Sequence, residues 1–587
     1  MTPVVFDGCF GWLHAPRDGG DVAVVICTGL MQDALLSHCS LRLLADQLAE
    51  AGYWTLRFDY PGTGDSCGDA DMNGAGGHWT AWRRSVNAAA DWLRATTGAR
   101  RLVLLGLRLG GAFAALTAAE RDDVAGLVLL APVMRGHSYR RQLLVEAQLQ
   151  GGRMPTKGKD FEFREFCLSP PTLAQMGEID LRRTRLAAEQ KVAIFARTES
   201  KAIIECTRTW VCSGAEVSCH GWEGLEPLLR HNLIDENTLA DFTAVMRWMR
   251  GAVPVGMLQA EPTVIVQPAT LRPPGGIETP LRFGDDGRLF GMLCRPERSA
   301  TETVVIIGNS GRDPHYGAAR QAVALARRLA AAGVASLRMD FAGLGDSLGP
   351  AGKENALSLM FEVDRSPDIR AAVDALQGLG FRRFALQGLC AGAYHAFHGA
   401  LAEPRITTLL LVNIPLFSLP SRDVLGYLQR RGLSMGHYLR KLSRRGTWAT
   451  LLNGKADIGA ALRAQSIRAL TRLRSKALDL ARWLHLAPVQ SFAERAMATL
   501  AKRRVRILFL FSAGEAEIEA FAQEFGRAGA GLRGFSDVQV RIIPGMDHDL
   551  GKVAGRYAAE TFMIDFVSAH RIPELFYSPR RSNAALA

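Results

Sequence analysis

One stretch of this 587-residue chain has the residue types and spacing for nucleophilic chemistry: Gly388-Leu389-Cys390-Ala391-Gly392. A short apolar run from Arg382 leads into it and an Ala-rich stretch follows, so the pattern reads strand, tight turn, helix. A nucleophile on such a turn needs small neighbours two residues before and two after, so that its side chain stands clear of the backbone. It then sits at the positive end of a helix, where a thiolate and an oxyanion are favoured. A glycine-rich turn with an ordinary buried cysteine would look the same locally, so the rest of the chain has to decide.

A cysteine nucleophile needs a base, and the base needs an orienting acid. On elbows of this kind they follow in the order nucleophile, acid, histidine, each after a later strand. Arg506–Phe511 reads as the first such strand, and the turn after it carries Glu515 as the chosen acid with Glu517 as the alternative. Val538–Ile543 reads as the last strand, and the loop Pro544-Gly545-Met546-Asp547-His548-Asp549 supplies His548 as the base. Asp547 and Asp549 are rivals for the acid, but residues adjacent to the histidine seldom orient its ring. An oxyanion hole is expected from the Ala391 amide together with one from Asn309-Ser310-Gly311, so Ser310 and Gly311 join the candidate site.

The elements that must hold these residues occur twice. Leu56-Arg57-Phe58-Asp59-Tyr60-Pro61-Gly62-Thr63-Gly64-Asp65-Ser66 returns as Leu337-Arg338-Met339-Asp340-Phe341-Ala342-Gly343-Leu344-Gly345-Asp346-Ser347, at an offset of 281. Phe10–Leu13 matches Phe290–Leu293, and Arg100–Gly110 matches Arg382–Gly392, at nearly the same offset. Three blocks in one order imply a tandem duplication. Each copy reads as a hairpin (Phe6–Pro16, Leu281–Pro296), a buried strand (Val22–Cys27, Thr303–Gly308) and an amphipathic helix (Ser40–Ala51, Ala318–Ala332). The LRxD strand, the elbow strand and a further strand (Val124–Leu130, Thr407–Val412) follow. Continuous β-branched strands alternating with helices predict mainly parallel, doubly wound sheets. The paired aspartates Asp59/Asp65 and Asp340/Asp346 are read as fixing the Gly-rich turn.

The first copy breaks the chemical pattern. Its elbow is Gly106-Leu107-Arg108-Leu109-Gly110, and a guanidinium cannot serve as the nucleophile. Its closing region offers His220 or His231 without a matching loop. Arg108 is therefore either an anion-binding residue for a carboxylate or phosphate, or a plug paired with a local acid.

Prolines 254, 262, 268, 273 and 274 with Gly275-Gly276 mark a linker. The expected domains are 1–250, silent; a Pro-rich linker, 251–275; and 276–587, carrying Cys390. An insertion at about 417–502 is helical in pattern and dense in arginine, with Leu, Trp and Tyr interleaved. It is expected to form a cap, with a solvated basic face or a docking surface for an acidic carrier protein or anionic polymer. The net charge of +12 and pI near 9.4 fit such a face, and no nucleic-acid signature accompanies them. Ten cysteines without a CxxC pair point to reduced thiols and a cytoplasmic protein. No signal peptide, membrane span, cofactor or metal site is expected.

With GLCAGAYHAFH, LRMDFAGLGDS and GMDH, the second copy resembles the α/β-hydrolases (serine aminopeptidase S33-like) found with exosortase A and exopolysaccharide systems, in the group with cysteine at the elbow. The first copy, with LRFDYPGTGDS and GLRLGG, resembles the companion group with arginine there. The resemblance implies two tandem α/β-hydrolase domains, each with a helical cap insertion. It carries Cys390, His548 and Glu515 over as a triad, although the family acid is more often aspartate. The activity expected is that of an esterase, thioesterase or acyltransferase acting on a small-molecule or carrier-bound acyl substrate. The alternative is a binding or scaffold protein of two degenerate domains.

Overall fold

A computed structural model describes residues 1–68, 77–149, 161–163, 166–196, 200–222, 224, 228, 240–256, 268–298, 301–349, 357–419, 491–532 and 534–569. Most of the expected cap, its basic docking face and His231 lie outside the described residues.

The first half forms β1 (Thr2–Phe6), β2 (Cys9–His14), β3 (Val22–Cys27), β4 (Trp54–Phe58), β5 (Arg101–Leu107) and β6 (Val124–Leu130). A short hairpin follows, β7 (Phe161–Phe163) with β8 (Phe166–Leu168), then β9 (Lys191–Phe195) and β10 (Glu216–His220). Eight of these make one sheet in the order β1-β2-β4-β3-β5-β6-β9-β10. The second half repeats it with β11 (Gly276–Phe283), β12 (Leu289–Pro296), β13 (Thr303–Ile307), β14 (Ala335–Asp340), β15 (Arg383–Leu389), β16 (Ile406–Val412), β17 (Arg506–Ser512) and β18 (Val538–Ile543), in the order β11-β12-β14-β13-β15-β16-β17-β18. The leading hairpin of each sheet is antiparallel and the other six strands run parallel.

Alternation along the central strands explains the layers. Ala23, Val25 and Cys27 enter the core on one face of the first sheet, while Val22, Val24 and Ile26 enter the core on the other. Val304 and Ile306 do the same against Val305 and Ile307 in the second. Both faces are covered, so polar residues on these strands would have no water to meet.

The first amphipathic helix departs from expectation. It spans Gln32–Glu50, two turns longer at its N-terminal end than Ser40–Ala51. Its counterpart spans Gln321–Ala331. Gln, Ala and Leu after Met31 favour helix, whereas Gly311, Pro314 and Gly317 hold the corresponding stretch of the second copy open.

The two halves meet through the repeated turns. Asp340 behaves as read: its Oδ2 accepts from the Asp346 amide at 2.9 Å, as Asp59 Oδ2 does from Asp65. Asp65 and Asp346 do something the sequence did not reveal, because each side chain crosses to the opposite domain. Asp346 accepts from Arg57 (3.0 Å) and the Trp12 indole (3.0 Å), and His38 Nε2 lies 3.1 Å away. Asp65 accepts from Arg338 (2.8 Å) and bonds His315 Nε2 (2.6 Å). Asp65 and Asp346 are repeat partners, and so are Arg57 and Arg338, so the interface is a pseudo-twofold contact between the duplicated domains. Phe10 stacks near its own counterpart Phe290, with centroids 6.5 Å apart, as expected near the pseudo-axis. The Arg320 guanidinium adds three bonds to the Gly64, Ser66 and Gly68 carbonyls.

Candidate active site

Cys390 stands between β15 and the helix Ala391–Ala402 with φ 53° and ψ −117°. Arg108 has the same geometry in the first copy, φ 53° and ψ −116°. Side chains rarely occupy this region, so the turn must be held by its surroundings. The Cys390 amide bonds Val412 O at 3.0 Å, and the Arg108 amide bonds Leu130 O at 2.9 Å. The flanking glycines are sterically required. A Cβ on Gly388 would lie 2.1 Å from Gly392 O, and one on Gly392 would lie 2.4 Å from Asn309 O. The Gly106 and Gly110 positions are equally closed in the first copy.

His548 is brought to the partly buried Cys390, and the sulfur is a hydrogen-bond partner of the imidazole. Burial alone would lower the His548 pKa. Cys390, Glu517 and Asp549 override it and hold the ring well above its ordinary value.

The second ring nitrogen, Nδ1, lies 3.8 Å from Glu517 Oε1. Glu515 also reaches the site: the Glu515, Glu517 and His548 ligand atoms lie within 4.8 Å of one another. Burial raises the Glu515 carboxyl, although His548 opposes that. No ion pair joins Glu515 to His548 among the described residues, so the nearer acid is Glu517. Glu515 precedes the helix Ala516–Phe525 as its cap residue, whereas Glu517 lies in that helix's first turn. A difference of that kind depends on where the helix starts, which is the least legible feature of a sequence.

The loop carrying Ser310 and Gly311 packs on the elbow through Asn309 O. Asn309 fixes it, donating to Asp313 O and Asp340 and accepting from the Phe341 amide. Gly311 takes φ +58°. Ala391 opens the elbow helix, so its amide has no acceptor within the helix. Around Ala391, the residue after Cys390, Met360, Phe361, Tyr394, Leu416 and Leu419 form an apolar cluster separate from the main cores, while Cys390 itself packs against the core under β13 and β16.

Two residues that the sequence reading passed over hold the histidine loop. Asn413, at the end of β16 with φ 48°, donates to His548 O at 2.9 Å, and Ser512 Oγ donates to Asp547 O at 2.8 Å. They also bond each other twice. The signal was in the repeat, because Asn413 aligns with Ala131 of the copy that has no cysteine. Asn413→Ala is expected to lower kcat for an acyl ester by roughly 10–100-fold, because positioning errors of this size cost about that much. KM should change less than about threefold. Steady-state kinetics beside a thermal melt separates this from simple destabilisation.

In the first copy the Arg108 Nε lies 3.4 Å from Asp33 Oδ2, and its guanidinium sits 5.4 Å from the Tyr139 ring centroid. The side chain is tied to a local acid and ring. His220 sits in β10, its Nε2 3.0 Å from Ser218 Oγ, and has no contact with Arg108 among the described residues.

Of the clusters with metal-ligand geometry, His315/Asp340/Asp346 is taken up by hydrogen bonds, since both ring nitrogens of His315 face carboxylates. The other, Glu515/Glu517/His548, is the acid–base group already described.

The fold is that of two tandem α/β domains, each a mainly parallel sheet covered on both faces. The family model described as serine aminopeptidase, S33 matches residues 21–184, which is the domain with arginine at the elbow. Comparison with curated proteins finds no match. Among solved structures the chain is similar to Est1E from Butyrivibrio proteoclasticus with ferulic acid bound (17% identity, TM-score 0.31, covering 43% of this chain and 99% of that one). It is also similar to a soluble variant of monoglyceride lipase from Saccharomyces cerevisiae in complex with a substrate analogue (16%, 0.30, 43% and 92%). A third is XC6422 from Xanthomonas campestris, described as an α/β serine hydrolase without lid (16%, 0.26, 43% and 93%). No described helix is long and apolar enough to cross a membrane.

Proposed function

We propose that the second domain is an acyl-transfer enzyme, hydrolysing or transferring the acyl group of an ester or thioester through a Cys390 acyl-enzyme. The observation that carries this is the placing of Cys390 on its strained elbow with His548 brought to it and Glu517 3.8 Å from the ring. With the proton already on the imidazole, the sulfur attacks the carbonyl carbon. The carbonyl π electrons move to oxygen, and the oxyanion faces the Ala391 amide and the Ser310–Gly311 loop. The bond to the leaving oxygen or sulfur breaks, and His548 gives that atom its proton. Water or an acceptor hydroxyl or thiol then attacks the acyl-enzyme carbonyl and its proton passes to His548; the acyl–sulfur bond breaks, the acyl product leaves and the Cys390 thiolate beside protonated His548 is restored. The apolar cluster around Met360, Phe361 and Tyr394 suits the acyl chain.

The first domain, with Arg108 held by Asp33, is read as catalytically silent. The resemblance to proteins of exosortase A and exopolysaccharide systems supports a place in polysaccharide or lipid-linked biosynthesis, with the basic cap meeting an acidic carrier or anionic polymer.

The test is a panel of short acyl esters and thioesters with intact-mass detection. Wild type is expected to turn over at least one of them and to carry an acyl adduct on rapid quenching. Cys390→Ala is expected to do neither. Full turnover in the alanine variant would refute the reading and favour two binding domains.

A further inference from the structure

A cavity lies between the two domains, and Cys390 is not among the residues that line it. Its volume is about 110 Å³, room for a head group and a short apolar chain, and it opens to solvent. Leu30, Leu35, Trp82 and Leu168 of the first domain line it, and Val553 closes it from the second. Asp59 is the carboxylate in its wall.

Asp59 is less well satisfied than its repeat partner. Asp340 is held by the Asn309 amide group, by the His315 backbone and ring, and by the Asp346 amide. The first domain has Thr28 where the second has Asn309, and among the described residues the hydrogen bond at the Asp59 carboxylate is the one from the Asp65 amide. Asp59 keeps some exposure and lines this cavity, as well as the smaller polar pocket beside His38 and Tyr316. Its carboxyl is pushed up to about 6, mainly by burial and then by Asp65. A carboxylate in an apolar cavity gains from a donor that displaces water.

The cations nearby do not make this an anion site. Arg320 spends its donors on the Gly64, Ser66 and Gly68 carbonyls. Arg556, on the wall, bonds Ala319 O at 3.4 Å and lies 3.8 Å from Glu560.

We propose that this interdomain cavity binds a small apolar molecule with a hydrogen-bond-donating head, an ammonium or a hydroxyl, docked on the Asp59 carboxylate. The site is distinct from the acyl site, and its occupation does not depend on chemistry at Cys390. Val553 follows His548 by five residues, and Tyr316 and Ala319 follow the Ser310–Gly311 loop, so a bound molecule touches the chain just beyond both loops.

The test is calorimetric titration of the full-length protein at pH 7.5 with octylamine, octanol and octanoate. Saturable binding of octylamine or octanol is expected, at least about tenfold tighter than octanoate, and the stronger of the two identifies the head group. Asp59→Asn keeps an acceptor for the Asp65 amide and should weaken octylamine by about tenfold or more. Ala34→Phe, which fills the cavity from the helix Gln32–Glu50, should abolish binding. Octanoate binding as tightly as the amine and the alcohol would overturn the proposal. So would absence of binding by both at millimolar concentration, or binding unchanged in Asp59→Asn and Ala34→Phe. If Ala34→Phe fails to fold, the Asp59→Asn comparison decides alone.

Discussion

His548→Ala is expected to lower kcat for the best acyl ester by about 10⁴-fold or more, as removal of the base does in nucleophile–histidine enzymes. The protein should still fold, because the His548 contact that supports the loop is its backbone carbonyl, held by Asn413. The companion pair is Glu517→Gln and Glu515→Gln. His548 Nδ1 lies 3.8 Å from Glu517 Oε1, and on the proposed mechanism that carboxylate orients the ring. Its other oxygen, Oε2, is buried without a hydrogen-bond partner among the described residues, so substrate binding has a contact left to tighten. Glu517→Gln should therefore cost roughly 10²-fold or more in kcat, and Glu515→Gln less than about threefold. The reverse order, read by single-turnover kinetics, would return the acid role to Glu515.

The second large effect is structural. Asp65→Ala is expected to destabilise the protein by about 3–5 kcal/mol, the penalty for stranding a buried charge. It leaves Arg338 with Glu278 alone and removes one of the two carboxylates facing His315. Asp346→Ala should act similarly through Arg57 and His38, whereas removing both aspartates should not cost twice as much, because they support one interface. Urea melts at two wavelengths would show the loss, and they should show separation of the domain transitions.

The interface also sets a pH window. Burial alone would raise Asp65 and Asp346, but His315 and Arg338, and His38 and Arg57, hold them low. Their contribution is present above the ordinary carboxylate range near 4 and is lost as pH falls through the depressed folded values. Burial would lower His315, but Asp65 and Asp340 hold it well above its ordinary value. Its contribution is complete below about 6.5 and fades as pH rises toward the folded value. The interdomain contact is therefore expected to be strongest between about pH 4 and 6.5. In Asp65→Ala the alkaline slope of stability should flatten.

The tandem repeat, the strand order within each copy and the strand–turn–helix context of Cys390 were legible because they are written in local pattern. A glycine two residues either side of Cys390 has one steric meaning, and alternating apolar strands have one layered solution. Helix limits were less legible. The start of the Gln32–Glu50 helix and the placing of Glu517 rather than Glu515 nearer His548 both depend on a helix end, where few residues set the outcome. Asn413 was hidden for a different reason: an asparagine after a strand has many uses, and only the approach of a loop 135 residues away gives it this one.

The sequence by itself determined that this chain holds two copies of one α/β domain, that the second presents a cysteine where the first presents an arginine, and that a histidine follows in the order such chemistry requires. Tertiary structure decided which carboxylate faces that histidine, that Arg108 is tied to Asp33, and that the repeated Gly-Asp-Ser turns join the domains. Those outcomes depend on charges from distant parts of the chain meeting in a place water cannot reach. Their geometry there is fixed by packing and not by any local preference of the residues.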